Sequence, residues 1–215
     1  MKGSIQINMI AAISLFCIFL TFSIPASADD HTIIDEWDDV IPPKAPDLKP
    51  VKVDPSATAL LVLDIEQRTC DLERRPRCID SVPKIKSLVT KARAKGMLVV
   101  YSLTSKGTKE TILKEVAPLE GESVVKSSVD KFYGTELENI LKKNGIKTVI
   151  LVGTAANGAV LGTAIGAAMR KLNIIVPVDG MSDNPYSEQY VAWHLVNAPG
   201  TKPLTTLTQI NMIEF

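Results

Sequence analysis

The sequence lacks an excess of charge of either sign, since 24 lysine and arginine residues face 24 aspartate and glutamate residues. This balance argues against nucleic acid as a main partner, because phosphate backbones are bound by basic surfaces. Histidine occurs only twice, at His31 and His194, and neither an internal repeat nor a G-x-G-x-x-G stretch is present. The composition therefore offers neither a histidine-based metal cluster nor a dinucleotide-binding fingerprint, and it shows no repeat architecture.

Long apolar runs are also scarce, and the clearest one lies near the amino terminus. About 16 nearly unbroken apolar residues, 9–24, follow Lys2 and are closed by Ala26-Ser27-Ala28, which is the pattern of a secretory signal peptide with an A-x-A cleavage site. A membrane anchor needs about 20 apolar residues. We therefore predict that residues 1–28 are cleaved on export to the periplasm or the medium, and that the mature protein has no stable membrane insertion.

Cleavage would leave 187 residues, a length that fits one domain with a sizeable core. Residues 29–55 are first acidic and then rich in proline, with too few periodic apolar residues for an ordinary helix or strand. We predict an extended arm over 29–55 and a folded domain over 56–215. An interaction role for the arm stays open as one hypothesis for the function.

Cleavage would also remove Cys17 and leave Cys70 and Cys78 in a compartment where thiols oxidise. The expected state is a disulfide between them, whose short loop contributes about 2.5 kcal/mol of stability on the chain-entropy model. A reactive thiol at Cys70 is the alternative.

From residue 58 onward, apolar strand patterns and helical periodicities alternate along the chain, which predicts βαβ units and a mainly parallel sheet. The predicted strands cover residues 58–64, 97–101, 124–125, 148–152, 174–178 and a short segment near 204. The predicted helices run from Ser81 to Gly96, from the capping box Thr135-x-x-Glu138 to Gly145, from the Gly/Ala-rich segment after residue 152 to Lys171, and over 190–196. The fold class is thus α/β.

Ligands of an open parallel sheet bind beyond the carboxyl ends of its strands, and three polar features lie there. Asp64 ends the run LLVLD, Lys126 follows a short apolar pair, and the loop GTAANGAV, 153–160, follows a strand and opens a helix. Each also has a structural explanation: Asp64 can cap a loop, Lys126 can be an ordinary surface lysine, and small residues favour tight helix packing.

In order, the segments TALLVLDIEQ, VVKSSVDKFYGTEL and VILVGTAANGAVLGTA, within residues 58–183, resemble the isochorismatase-like hydrolase family. The resemblance implies a three-layer sandwich with a six-stranded, mainly parallel sheet. It also implies that Asp64 and Lys126 meet a cysteine nucleophile at the strand ends, and that the Thr154-Ala155 peptide is cis. The residues it assigns to substrate or oxyanion binding are Phe132, Thr154, Ala155, Asn157 and Gly158.

The sequence departs from this family at the nucleophile, because the usual G-x-x-T-x-x-C-V carries Ala159 at the cysteine position. A methyl group cannot attack a carbonyl carbon, which excludes covalent amide hydrolysis by the usual route. Nicotinamidase-like members also carry a His/Asp metal cluster in the loop after the second strand. Residues 102–120 contain no histidine, so we expect no metal and no cofactor.

Two hypotheses follow from the departure at Ala159. In the first, Asp64 protonates the enol-ether carbon of a small anionic substrate without a covalent intermediate, while Lys126 orients the acid or binds a substrate carboxylate. In the second, the protein is an exported pseudoenzyme that binds a small molecule without turnover. Export argues against isochorismate, an intracellular metabolite, as the substrate. A homo-oligomer is compatible with the sequence.

Overall fold

The computed structural model describes residues 31–215, so the predicted signal peptide lies outside the described residues. The chain divides into two units, the second of which, residues 44–215, is the compact domain. In the described part of the first unit, residues 33–39 form turns, and Asp35 accepts hydrogen bonds from the backbone and hydroxyl of Thr32, each at 2.8 Å. No helix within residues 31–215 is both long enough and apolar enough to cross a bilayer.

The compact domain alternates strands and helices. Its strands are β1 (Val51–Lys52), β2 (Thr58–Leu63), β3 (Leu98–Leu103), β4 (Ser123–Lys126), β5 (Thr148–Thr154), β6 (Asn173–Pro177), β7 (Met181–Ser182), β8 (Thr205–Thr208) and β9 (Ile213–Glu214). Its α-helices are α1 (Pro76–Ala94), α2 (Leu137–Lys143), α3 (Leu161–Met169) and α4 (Pro185–Asn197).

Six parallel strands of the described chain form the main sheet in the order β4-β3-β2-β5-β6-β8, and the short β7 adds to the end of β5. This confirms the predicted α/β class with a mainly parallel sheet. The central strand β2 is buried along its whole length, which explains why its sequence, TALLVL, is apolar without alternation.

Helices cover both faces of the sheet, which makes a three-layer sandwich. Leu61 and Leu63 of β2 share one hydrophobic cluster with residues of α2, α3 and α4. Leu60 and Val62, which alternate with them, share the other cluster with α1. Period-two alternation along a strand therefore assigns each β2 side chain to one of two cores.

Helix α1 begins at Pro76, five residues before the predicted cap at Ser81. Proline at the first helical position loses no hydrogen bond, because that N–H has no partner within the helix. The Ser81 hydroxyl donates to the Cys78 carbonyl at 2.7 Å within the helix, and Pro83 lies inside it. The predicted start was wrong because Pro76 and Pro83 can each lie in the first turn of a helix, and the pattern after Ser81 favoured Pro83.

The predicted capping box at Thr135 is also absent, because α2 begins at Leu137. The Thr135 hydroxyl accepts from the Leu137 N–H at 3.2 Å, so it still satisfies one backbone donor. The Glu138 carboxylate, however, pairs with Lys142 and Arg170, each at 2.6 Å, and does not turn back to the helix start. Two nearby cations outcompete the single backbone N–H for this carboxylate.

The compact domain starts earlier than the predicted boundary at residue 56. Its first residue is Lys44, and β1 lies inside the predicted arm, paired in parallel with β9 at the carboxyl terminus. Lys49 N–H also donates to the Leu207 carbonyl at 2.9 Å. A two-residue strand has no detectable periodicity, which is why the sequence pattern indicated only an extended arm.

The predicted disulfide is confirmed: Cys70 and Cys78 are bonded, with their Cα atoms 5.2 Å apart. Both residues are fully buried. The bridge joins the loop after β2 to the first turn of α1, and it leaves no free thiol within residues 31–215.

Candidate functional site

Asp64 directly follows β2, at the carboxyl end of the sheet. Leu63 is in register with Ser102 of β3 on one side and with Gly153 of β5 on the other. A Cβ atom at Gly153, whose φ is +128°, would lie 2.0 Å from the Leu63 carbonyl oxygen. Only glycine lets β5 approach β2 so closely, and this approach brings the end of β5 beside Asp64.

The Asp64 carboxylate is buried and accepts a hydrogen bond on each oxygen. Ser102 Oγ donates to Oδ1 at 2.6 Å, and Lys131 Nζ donates to Oδ2 at 2.7 Å. The Lys131 side chain is completely buried, and its ammonium also donates to the carbonyls of Ser127 and Ser128, at 3.0 and 2.7 Å. Each proton of the ammonium thus has an acceptor, as a buried ion pair requires.

The environment of Asp64 favours a protonated carboxyl group more than water does. Burial raises the pKa of Asp64 above its usual value, the charge and hydrogen bonds of Lys131 and Ser102 oppose this, and the negative charge of Glu66 adds to it. The net direction is upward. A raised pKa suits a general acid, which must carry a proton when the substrate binds.

The lysine that reaches Asp64 is Lys131, whereas the sequence predicted Lys126. Lys126 is the last residue of β4, and its side chain is exposed. Val125 packs into the cluster shared with α2 to α4, so Lys126, one residue further along the strand, points to the opposite face. The chain after β4 then returns Lys131 to the acid.

Sequence reasoning missed both hydrogen-bond partners of Asp64. Ser102 offered a usable signal, because it is a polar residue within the otherwise apolar strand LVVYSL. Lys131 offered almost none, since nothing in SSVDKF distinguishes a buried lysine from a surface one. Its burial depends on tertiary contacts of the loop after β4.

Phe132, predicted to bind substrate, lies in the hydrophobic core and is 4% exposed. The Arg170 guanidinium stacks over its ring at 4.4 Å, and Asp130 Oδ1 accepts its backbone N–H at 2.9 Å. Phe132 thus anchors the loop that carries Lys131.

The loop after β5 carries the remaining predicted binding residues. The Thr154-Ala155 peptide is cis, as the resemblance implied. Thr154 is fully buried and its hydroxyl donates to the Ser182 carbonyl at 2.9 Å, so this side chain links β5 to β7. Ala155 is half-buried and follows Thr154 at the sheet edge.

A π-helical turn, Ala156–Val160, follows the cis peptide and leads into α3. Asn157 is exposed, and its amide donates to Ser187 Oγ at 2.9 Å. Gly158 is half-buried, and Ala159, at the predicted nucleophile position, is 5% exposed. The loop therefore lies where predicted, between a strand end and a helix start, without a nucleophilic side chain at Ala159.

A second buried carboxylate, Glu66, was not predicted. It is 2% exposed, and its oxygens accept from the Thr104 backbone N–H at 2.6 Å and from the Thr111 hydroxyl at 2.8 Å. No lysine, arginine or histidine of the described chain forms an ion pair with it. Glu66 thus fastens the loop after β3 against the segment that carries Asp64.

Comparisons with known proteins agree with this architecture. Residues 58–208 match the family model described as "Isochorismatase domain". The chain belongs to the isochorismatase family. A solved isochorismatase family protein from Burkholderia thailandensis has the same fold, with a TM-score of 0.65 at 22% identity, over 75% of this chain and 95% of that one.

Two curated relatives of this family member are informative. The "Secreted isochorismatase effector Isc1" of Verticillium dahliae is 38% identical over 48% of this chain and 60% of its own length. The uncharacterised isochorismatase family protein YaaI of Bacillus subtilis is 30% identical over 50% and 59%. The chain therefore spans about three fifths of the length of these relatives.

Ala159→Cys tests whether the loop after β5 still activates a nucleophile. We expect the new thiol to titrate below the usual value of about 8.5, because it precedes the amino terminus of α3, where the helix dipole favours thiolate. The measurement is the alkylation rate against pH, with Cys70 and Cys78 already paired. Ala94→Cys, at the carboxyl end of α1, is the control and should react only at higher pH. Equal profiles for the two thiols would show that residue 159 is not at an activating position.

Proposed function

We propose that this family member is an exported hydrolase that cleaves the enol ether of a small anionic molecule by acid catalysis. The observation that carries the proposal is the buried Asp64 carboxyl, held between Ser102 and Lys131, in a chain with alanine at the predicted nucleophile position. Such a site supplies a positioned proton but no attacking thiolate. Enol-ether hydrolysis needs only the proton and water.

The proposed reaction balances with water as the sole co-reactant. Protonated Asp64 transfers its proton to the terminal carbon of the enol ether, which forms a C–H bond and an oxocarbenium ion. Water adds to the cationic carbon and loses a proton, and the resulting hemiketal breaks its C–O bond to release a keto acid and an alcohol. The proton lost by water restores the acid form of Asp64. Lys131 stabilises the carboxylate that exists between these two transfers.

The relative from Verticillium dahliae supports isochorismate as the substrate to test first. That protein is named both as secreted and as an isochorismatase, so the predicted export of this chain does not count against such a substrate. The Cys70–Cys78 disulfide fits an oxidising compartment. We therefore include the predicted signal peptide, residues 1–28, and export in the proposal.

The test is turnover of isochorismate by residues 29–215 with the disulfide formed. We expect release of one pyruvate per isochorismate, followed by coupled lactate dehydrogenase, and no ammonia from the amide probes nicotinamide and N-carbamoylsarcosine. Hydrolysis of either amide would contradict the proposal. A rise in melting temperature with isochorismate but no pyruvate would favour the binding-protein hypothesis in its place.

A further inference from the structure

The backbone of Asp64 is held from both sides in an uncommon conformation. Its φ is +50°, a left-handed value that a residue other than glycine keeps only where its surroundings impose it. The Asp64 N–H donates to Ser102 Oγ at 3.2 Å, and the Asp64 carbonyl accepts from the Glu66 N–H at 2.9 Å and from the Thr69 hydroxyl. Hydrogen bonds with Ser102 and Thr69 thus hold the N–H and the carbonyl of Asp64 in place.

Two interactions connect Thr69 and the next residue to the start of α1. The next residue, Cys70, is bonded to Cys78 in the first turn of that helix. Arg75 Nη1 donates to the Thr69 carbonyl at 3.1 Å, while its Nε pairs with Asp183 at 3.2 Å. A covalent bond and an anchored guanidinium therefore hold Thr69 against the site.

We infer that Thr69 is a positioning residue for Asp64, and that the Cys70–Cys78 disulfide keeps it in place, so that the site is complete only in the oxidised protein. This inference rests on the proposed role of Asp64 as the acid. A dithiol such as dithiothreitol reduces the bridge to two thiols and is itself oxidised to a cyclic disulfide. The loop between Glu66 and α1 then keeps its hydrogen bonds, such as those from Arg75 to the Thr69 carbonyl and from the Gln67 N–H to the Thr111 carbonyl, but it loses its covalent cross-link to the helix.

The first test follows the backbone amide proton of Asp64. Its exchange rate shows how firmly the Asp64 backbone is held, and no substrate is needed. By residue-resolved NMR hydrogen exchange, we expect this proton to exchange about tenfold faster or more after reduction by dithiothreitol and in Thr69→Val. Each change weakens or removes the hydrogen bond from Thr69 to the Asp64 carbonyl, which lets the Asp64 N–H separate from its acceptor Ser102. Thr69→Ser keeps the hydroxyl and should exchange as the wild type does. Thr90→Val is the matched control, because the Thr90 hydroxyl donates to the Lys86 carbonyl at 2.9 Å on the far part of α1.

The second test measures turnover of isochorismate by the same proteins. We expect reduction and Thr69→Val each to lower kcat about tenfold and to change KM by less than about twofold. The reason is that Thr69 positions the acid Asp64 and does not affect substrate affinity. Thr69→Ser should restore kcat. Cys70→Ser/Cys78→Ser, checked for folding by circular dichroism, replaces chemical reduction if the buried bridge resists the dithiol.

The outcomes separate this inference from the proposed function. Unchanged Asp64 exchange in the folded protein without the disulfide, or in Thr69→Val, would overturn the inference. Faster Asp64 exchange together with no pyruvate from the oxidised wild type would support the positioning of Asp64 by Thr69 and would contradict the proposed hydrolase function.

Discussion

Lys131→Met is expected to lower the free energy of unfolding at pH 7 by about 3–5 kcal/mol, because it leaves the Asp64 carboxylate buried without its cation. The change also removes the donor to the Ser127 and Ser128 carbonyls. Urea denaturation followed by circular dichroism measures the loss. Turnover should fall as well, since the carboxylate formed after proton transfer is no longer stabilised.

The loss of stability in Lys131→Met should depend on pH in a defined direction. Without Lys131, the folded-state pKa of Asp64 rises further above its unfolded value, because burial already raises it and Lys131 opposes that rise. A carboxyl group whose pKa is higher in the folded than in the unfolded state lowers the free energy of unfolding at pH values above its unfolded-state pKa. Below that pKa this effect disappears. The variant should therefore approach wild-type stability as pH falls toward the ordinary aspartate range.

Lys126→Met is the matched control for Lys131→Met, since the same substitution is made five residues earlier. Lys126 is exposed, and the change should alter the free energy of unfolding by less than about 0.5 kcal/mol. Equal losses in the two variants would contradict the assignment of Lys131 as the partner of Asp64.

Asp64→Asn is expected to lower kcat for isochorismate by about 10²- to 10⁴-fold, the usual contribution of a positioned general acid. The amide has nearly the shape of the carboxyl group and accepts the Ser102 hydrogen bond, but it has no acidic proton to transfer. Lys131 loses its anionic partner, so a lower melting temperature is expected, and the assay is run well below it. Pyruvate release by stopped assay gives the rate.

The control for Asp64→Asn is Asp179→Asn. Asp179 is also a carboxylate near a strand end, but it accepts the Ile210 N–H at 2.9 Å and faces Lys84 at 3.4 Å, outside the site. Its replacement should leave kcat within about twofold of the wild type. Undiminished turnover in Asp64→Asn would remove Asp64 from the chemistry.

The fold was predictable because the central strands β2, β3, β5 and β6 are mostly buried apolar runs and each helix has a buried stripe. The run at residues 58–64 predicted β2, Thr58–Leu63, to within one residue. What escaped prediction depends on partners distant in sequence. β1 exists only because the carboxyl-terminal β9 pairs with it. Helix α1 begins at Pro76, and the disulfide joins its first turn to the loop after β2.

The site was predicted in part for the same reason. Asp64 is identifiable because a carboxylate directly after a buried strand must lie at the ligand-binding edge. Its partner was assigned to Lys126 by motif position, but strand alternation turns that side chain away. Lys131 and Thr69 become functional candidates only through contacts 67 and 5 residues away in sequence, which a local pattern does not show.

The pH dependence of kcat for isochorismate tests the central claim, that Asp64 is the general acid, most directly. The protonated form is active, and burial raises the pKa of Asp64 above its ordinary value. We therefore predict that kcat of the oxidised wild type is highest at low pH within the range where the protein stays folded, and that it falls as pH rises through this raised pKa. A kcat that stays constant or increases over the same range would contradict acid catalysis by Asp64.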